Sequence, residues 1–168
     1  MKISMHAMSH DVFKRALTQL LFVMEKGVAN AKARAFDTSV LVSARLAPDM
    51  LPFSKQIQLT SDFAKNSMAR LAGIDPPKFE DNETTMDELI ARVKKTLDYL
   101  GTVSAAALEG SEIRDIKIPL RDRTVEFKGL EFLQAWAIPN FFFHYVTAYN
   151  LLRHNGVELS KKDFVGSF

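Results

Sequence analysis

The chain has 168 residues, is 47% hydrophobic and 25% charged, and carries a formal net charge of +2. This composition predicts one globular domain over residues 1–168, and the weak, scattered charge excludes a nucleic-acid footprint. The lack of cysteine excludes disulfides, thiolate metal ligands and a cysteine nucleophile; it fits a cytoplasmic protein, and no apolar run is long enough for a membrane span or a secretory signal.

Apolar residues at helical spacing predict the first two long helices. The first is expected over about residues 10–32, with Ser9 as its N-cap. A short helix should open at Asp37 and end before Pro48, because the residue before a proline resists the α conformation. The second long helix is expected over about residues 52–72, with Pro52 at its first position and Gly73 as its stop signal.

Polar residues of the second helix divide into two groups by their position around it. Gln56 and Phe63 lie at the edge of the apolar stripe and are expected to reach inward. Gln58 and Asp62 lie on the far face and are expected in water. The stretch 74–84 has two prolines and no period, which predicts a loop whose acidic residues are solvated (Asp75, Glu80, Asp81 and Glu83).

The second half of the chain changes period twice. Thr85 and Glu88 form a capping-box pattern that opens a third long helix, closed by Gly101. Alternating apolar residues then predict a β-hairpin around residues 121–123, namely Ile116, Ile118, Leu120, Val125 and Phe127. A tail with a second capping pattern, Ser160 and Asp163, is expected to dock through Phe164, Val165 and Phe168.

The most apolar stretch, residues 130–154, predicts the central helix of the bundle. Pro139 must either kink this helix or open a new one as its first residue. The few polar residues share one strip of the helix: Asn140, His144, Thr147, Asn150 and His154. The lower part, Asn150 and His154, is expected in solvent, whereas the upper part either faces water or lines an internal pocket.

Two further residues are candidate ligand contacts with plain structural alternatives. Asp49 either caps the second long helix, which is the favoured interpretation, or points into a site at the bundle end beside Arg45. Tyr149, like Trp136, is expected in the core rather than stacked on a ligand. The candidate ligand-binding set is therefore His144, Asn140, Gln56, Thr147, Asp49 and Tyr149, with no catalytic residue assigned.

Four long amphipathic helices and one hairpin predict an all-α, up-down four-helix bundle with a small β-hairpin between the third and fourth helices. Three stretches add a resemblance: RLAPDMLPF at 45–53, IPNFFFHYVTAYNLLRHNGVEL at 138–159 and SKKDFVG at 160–166. They resemble a bacterial family of unknown function within the DinB/YfiT-like superfamily of four-helix bundles. The resemblance implies the same fold and, as in many superfamily members, a homodimer.

The superfamily resemblance also points to a position where a divalent metal could bind. Many members hold a divalent metal with one histidine on the second helix and an H-x-x-x-H pair on the last long helix. His144 resembles the second histidine of that pair, but Asn140 stands at the first, and Gln56 is the nearest polar candidate on the second helix. One imidazole and two amides make a poor ligand set, so no tight Zn or Ni site is expected; His6 and His10 would contribute only if the N-terminus folded over the bundle mouth.

Three functions follow as hypotheses. The first is a bundle with a degenerate metal site that binds a small ligand or a protein partner around His144. The second is a metal-dependent enzyme that follows the thiol S-transferase chemistry of the superfamily. The third is an interaction module whose polar strip is buried in a dimer interface.

Overall fold

A computed structural model describes residues 3–167, and its four long helices pack as the predicted all-α bundle with one antiparallel hairpin. The elements in chain order are α1 (Met5–Met8), α2 (His10–Ala33), α3 (Ser39–Ser43), α4 (Phe53–Ala72), α5 (Met86–Thr102), β1 (Asp115–Pro119), β2 (Thr124–Lys128), α6 (Gly129–Glu131), α7 (Ile138–His154) and α8 (Lys161–Val165). Short 3-10 turns at Ala106–Leu108 and Ser111–Ile113 connect α5 to the hairpin.

The N-terminus carries a short helix that the sequence pattern did not reveal. Helix α2 begins one residue after Ser9, as predicted, but the Ser9 side chain does not cap it. Because α1 directly precedes this junction, the Ser9 hydroxyl instead donates to the carbonyl oxygen of Met5 at 2.7 Å. Ser4 provides the side-chain cap for α1, accepting a hydrogen bond from the Ala7 N–H at 3.1 Å.

Helix α4 begins within one residue of the predicted position and ends at the predicted one. Among residues 3–167 it buries more polar side chains than any other long helix. Pro52 stands at the N-cap, one residue before the helix begins, and Gly73 ends the helix in the left-handed conformation with φ 73°. An L side chain would be strained there, which explains the glycine. The capping box of Thr85 and Glu88 at the start of α5 is confirmed, with both reciprocal hydrogen bonds formed.

The far face of α4 is covered, so the predictions that Gln58, Asp62 and Glu83 are solvated are wrong. Gln58 is buried, and its side-chain amide donates to Glu83 at 2.9 Å. Asp62 forms an ion pair with Arg92 at 2.9 Å, and Glu83, predicted to be solvated, pairs with the same guanidinium at 2.9 Å. The physical reason is that loop 74–84 folds back over α4 rather than extending into water.

The loop is held by buried cations as well as by its own carboxylates. Arg92 of α5 is 3% exposed and donates to the backbone carbonyl of Glu80, besides its ion pairs with three acids, Asp62, Asp81 and Glu83. Lys65 of α4, also 3% exposed, donates to the carbonyl oxygen of Pro77 at 2.7 Å. A segment without regular structure is thereby fixed to two helices.

The predicted hairpin is present, with β1 and β2 paired in antiparallel register, Ile116 opposite Phe127 and Ile118 opposite Val125. Ile116 and Ile118 are buried, in agreement with the alternation in the sequence. Gly129 follows the hairpin without any gap. A Cβ atom at this position would overlap the carbonyl oxygen of Ser111, so the close approach of the two backbones requires glycine.

Pro139 lies in the first turn of α7, directly after a π-helical segment. Residues Phe132–Ala137 form a π-helical segment that joins α6 to α7, and Pro139 follows as the second residue of α7. The backbone stays helical from Gly129 to His154, so Pro139 does not open a separate helix as its first residue; instead a widened π segment directly precedes it within one continuous helix. Helix α7 ends at His154, and Gly156 takes a positive φ of 87°, as the Asn155-Gly156 stop signal predicts.

The tail docks through Phe164, whose ring stacks on Tyr145 with a centroid distance of 4.4 Å. The capping box of Ser160 and Asp163 that opens α8 is confirmed. Phe168, the last residue of the expected docking set, lies outside the described residues. Across residues 3–167, no helix combines the length and apolar character that crossing a bilayer requires.

Removing the Arg92 charge should destabilise the fold strongly. We expect Arg92→Met, which keeps most of the side-chain volume, to lower the free energy of unfolding by about 3 kcal/mol, because three carboxylates lose their buried partner. Urea denaturation followed by circular dichroism measures this change. The matched control is Lys117→Met, which removes an exposed pair with Glu126 and should leave the urea midpoint unchanged. Equal midpoints for the two variants would contradict the structural role assigned to Arg92.

Candidate functional site

The imidazole of His144 faces helix α4, as the position of the polar strip suggested. His144 is half-buried on α7, and its Nδ1 lies 2.8 Å from Oε1 of Gln56. Gln56 is 2% exposed, so the interaction takes place inside the bundle. The structure thus brings together the two residues that sequence spacing selected on different helices, 88 positions apart.

The hydrogen bonds of Gln56 assign the protonation of the histidine ring. The Gln56 Nε2 group donates to the backbone carbonyl of Leu51 at 3.0 Å, which leaves Oε1 as the atom that faces His144. An amide oxygen only accepts, so His144 must donate from Nδ1. In the neutral ring the other nitrogen, Nε2, then carries the free lone pair.

Burial keeps this ring neutral. The pKa of His144 is lowered from its ordinary value of 6.5, because partial desolvation penalises the imidazolium form. A neutral ring whose Nδ1–H is already used presents Nε2 as a hydrogen-bond acceptor, a weak base or a metal ligand.

Two phenylalanines flank the imidazole. Phe63 of α4, predicted to reach inward, stacks on the ring with a centroid distance of 5.6 Å and an interplanar angle of 17°. Phe143 meets it edge-on at 5.2 Å and 89°, and is itself 59% exposed. The exposed edge of the site is therefore apolar on both sides of one polar atom.

Asn140 and Thr147 lie on the same helix but use their donors locally. The Asn140 amide donates to the carbonyl oxygen of Trp136 at 2.7 Å, beside the π segment. The Thr147 hydroxyl donates to the carbonyl oxygen of Phe143 at 2.6 Å and is buried. The lower part of the strip, Asn150 and His154, is exposed as predicted, so of these polar residues it is His144 that contacts another long helix through its side chain.

Asp49 and Tyr149 are not joined to His144 by any contact. The favoured cap interpretation of Asp49 is wrong, because the N-cap of α4 is Pro52 and Asp49 lies three residues earlier in an exposed turn. The alternative, a site at the bundle end beside Arg45, stays a prediction; the Arg45 guanidinium itself donates to the carbonyl oxygen of Met50. Tyr149 is half-buried and packs against the core, with its ring edge-on to Phe164 at 5.6 Å; a role in ligand contact stays a prediction.

The donor set around His144 does not fit a divalent metal. The Gln56 oxygen, the atom with which this amide could bind a metal, already accepts the Nδ1–H of His144, and Gln56 and Asn140 are both neutral amides. Within residues 3–167, one group of three His, Asp or Glu side chains has its ligand atoms within 4.8 Å of one another, and it consists of His6, His10 and Asp11 rather than His144. The sequence analysis considered His6 and His10 only as additional ligands for the His144 site, and not as a site of their own.

Comparisons with known proteins agree with this architecture. A family model described as a domain of unknown function, DUF1993, matches residues 5–165. A crystal structure of a DinB family member from Shewanella denitrificans is similar over 97% of this chain and 92% of that chain, with 37% sequence identity and a TM-score of 0.92. No curated protein matches the sequence significantly.

The His144 pKa offers a direct test of the assigned hydrogen bonds. We expect an NMR titration to give a His144 pKa below 6.5, and Gln56→Glu to raise it, because a carboxylate beside Nδ1 favours the charged ring. An unchanged pKa in Gln56→Glu would contradict the Gln56 contact.

The lowered pKa of His144 also makes the stability of the fold depend on pH. Between the lowered folded pKa and 6.5 the unfolded chain binds more protons, so the free energy of unfolding should fall as pH drops through this window. The difference between wild type and His144→Gln in urea unfolding at pH 7.5 and pH 5 isolates this contribution from the other three histidines.

Proposed function

This chain belongs to the DUF1993 family within the DinB-like superfamily, and for it we propose a binding function centred on His144 in place of a metal site there. The single observation that supports the proposal is the His144–Gln56 hydrogen bond at 2.8 Å. It fixes the neutral tautomer and leaves one half-buried nitrogen with an unused lone pair. A preorganised acceptor of this kind is typical of a site that orients a small molecule.

The surroundings of His144 define the chemical class of the ligand. Phe63 and Phe143 supply apolar surface on either side of the ring, and no ion pair of residues 3–167 involves His144. A ligand that fits has a flat or aliphatic apolar group and an O–H or N–H group that donates to Nε2. Charged phosphates and carboxylates are disfavoured, because a neutral acceptor repels them and no cation is paired with the site.

The alternative function, a metal-dependent enzyme with thiol S-transferase-like activity, is favoured by one feature. A ligating imidazole usually donates its second N–H to a carbonyl or carboxylate oxygen, and His144 donates to the Gln56 carbonyl in this way. Since the other helical positions offer only amides, the residues do not fit the metal, and we derive no reaction through one.

A homodimer is the partner we propose, through the exposed face of α7 beside the site. Phe143 and Val146 are 59% and 39% exposed and lie one helical turn apart. Apolar side chains exposed side by side on one helix face offer a second copy of the chain apolar surface to bury. A second copy of the chain would cover it and narrow the opening to His144.

Ligand-observed NMR with a library of small neutral fragments, on protein without an affinity tag, tests the binding function. We expect fragments that combine an apolar ring with a hydroxyl or amide donor to bind, and His144→Ala to weaken them about tenfold, the equivalent of one hydrogen bond. His154→Ala is the matched control, since that histidine is exposed on the same helix.

Two results would overturn the binding proposal. One is fragment binding that is equal in wild type and His144→Ala. The other is thiol-transfer turnover that added Zn or Ni stimulates and that His144→Ala abolishes, which would establish the enzymatic alternative.

The dimer has its own test. We expect Phe143→Lys and Val146→Lys to convert a dimer to monomers in light scattering after size exclusion, because a charge in the interface is not paired. Ile113→Lys is the matched control, since Ile113 is also apolar and 73% exposed but lies in a 3-10 turn away from α7. A monomeric wild type, or a dimer in all three variants, would show that this face is not the interface.

A further inference from the structure

The N-terminal segment brings two histidines face to face. His6 lies on α1 and His10 opens α2, and their rings stack with a centroid distance of 4.2 Å and an interplanar angle of 24°. The spacing of four residues places them on one side of the chain even though Ser9 interrupts the helix between them. Two imidazoles in this arrangement direct their ring nitrogens to a common point.

Asp11 places a carboxylate oxygen close to both nitrogens. Its Oδ1 lies 2.9 Å from Nδ1 of His10 and 3.5 Å from Nδ1 of His6. A tetrahedral ion with bonds of about 2.1 Å holds its ligands about 3.4 Å apart, so these two separations bracket what such an ion requires. Two imidazole nitrogens and one carboxylate are also a ligand set that first-row divalent metals prefer.

We propose that His6, His10 and Asp11 form a binding site for a divalent first-row transition metal, separate from the His144 site. Each histidine would bind through Nδ1 and keep its proton on Nε2, and Asp11 would neutralise half of the added charge. Without metal, His10 and Asp11 are joined by a hydrogen bond of 2.9 Å between Nδ1 and the carboxylate, and Nδ1 of His6 lies 3.5 Å from the same oxygen, so the three groups already lie together.

The local structure holds these ligands in place. The His10 side chain is 10% exposed and the His6 side chain 25%, so little rotamer freedom remains to be lost on binding. The Ser9 hydroxyl, bonded to the Met5 carbonyl at 2.7 Å, fixes the junction between the two histidines. Asp11 is 58% exposed, which gives an ion direct access from solvent.

A cleft lies beside His6, although neither His10 nor Asp11 lines it. It has a volume of about 700 Å³ and is lined by His6, Ser4, Glu109 and Glu112 among others. Three protein ligands leave a fourth position for water or for a bound molecule, as in catalytic zinc sites. The two glutamates add negative charge to the approach, which favours a divalent cation.

Titration of tag-free protein with zinc, by calorimetry, and with cobalt, by visible absorption, tests this site. We expect one equivalent per chain, and His6→Ala and Asp11→Asn to weaken binding at least roughly 100-fold, since even the loss of an outer-shell partner costs 10–100-fold. These two residues are chosen because His10 is only 8% exposed and its variants risk misfolding. Circular dichroism confirms that the variants are folded.

Controls separate this proposal from the one at His144. His154→Ala removes an exposed histidine and should leave zinc affinity unchanged, and His144→Ala should do the same. Absence of zinc and cobalt binding, or equal binding by wild type and His6→Ala, would overturn the N-terminal site. Loss of the metal in His144→Ala alone would place the ion between α4 and α7 and overturn both proposals.

Discussion

The buried guanidinium of Arg92 holds the loop 74–84 over one face of helix α4, so that this face is buried. Arg92 on α5 pairs with three acids, one from α4 and two from the loop 74–84, and an unpaired guanidinium at that depth would be costly. The loop must therefore lie across α4, and it covers a helix face that would otherwise meet solvent. With one side of α4 enclosed in this way, its opposite side is fixed against α7, where Gln56 meets His144.

The sequence was most informative where local rules and tertiary packing agree. The long helices to within a few residues, the capping boxes at Thr85 and Ser160, and the presence of the hairpin follow from period and cap chemistry, which act within a few residues. The contact of Gln56 with His144 was also within reach, because both positions were placed on the inward side of their own helices. When two adjacent helices both turn a polar residue toward the same core, the two side chains are expected to lie close together.

The failures share a different cause. Gln58, Asp62 and Glu83 were expected in water because a polar residue on a far face normally is, and no local signal shows that a distant loop will return over it. The sequence also did not show where the side chains of Thr147 and Asn140 form their hydrogen bonds. Both donate to backbone carbonyl oxygens four residues earlier in the chain. The stacking of His6 on His10 depends on the short helix α1. This helix has four residues, which is too short for a helical repeat of apolar residues to be visible in the sequence.

The loop 74–84 is the longest stretch without regular structure, and such stretches are the usual choice for inserting a reporter or for making new chain termini. Here that choice is poor, because the carbonyl oxygens of Pro77 and Glu80 accept hydrogen bonds from buried cations. The tip of the hairpin, residues 121–123, is exposed and carries no packing of this kind. Circular permutants and fluorescent-domain fusions are therefore better opened at the hairpin, although it is the shorter of the two connections.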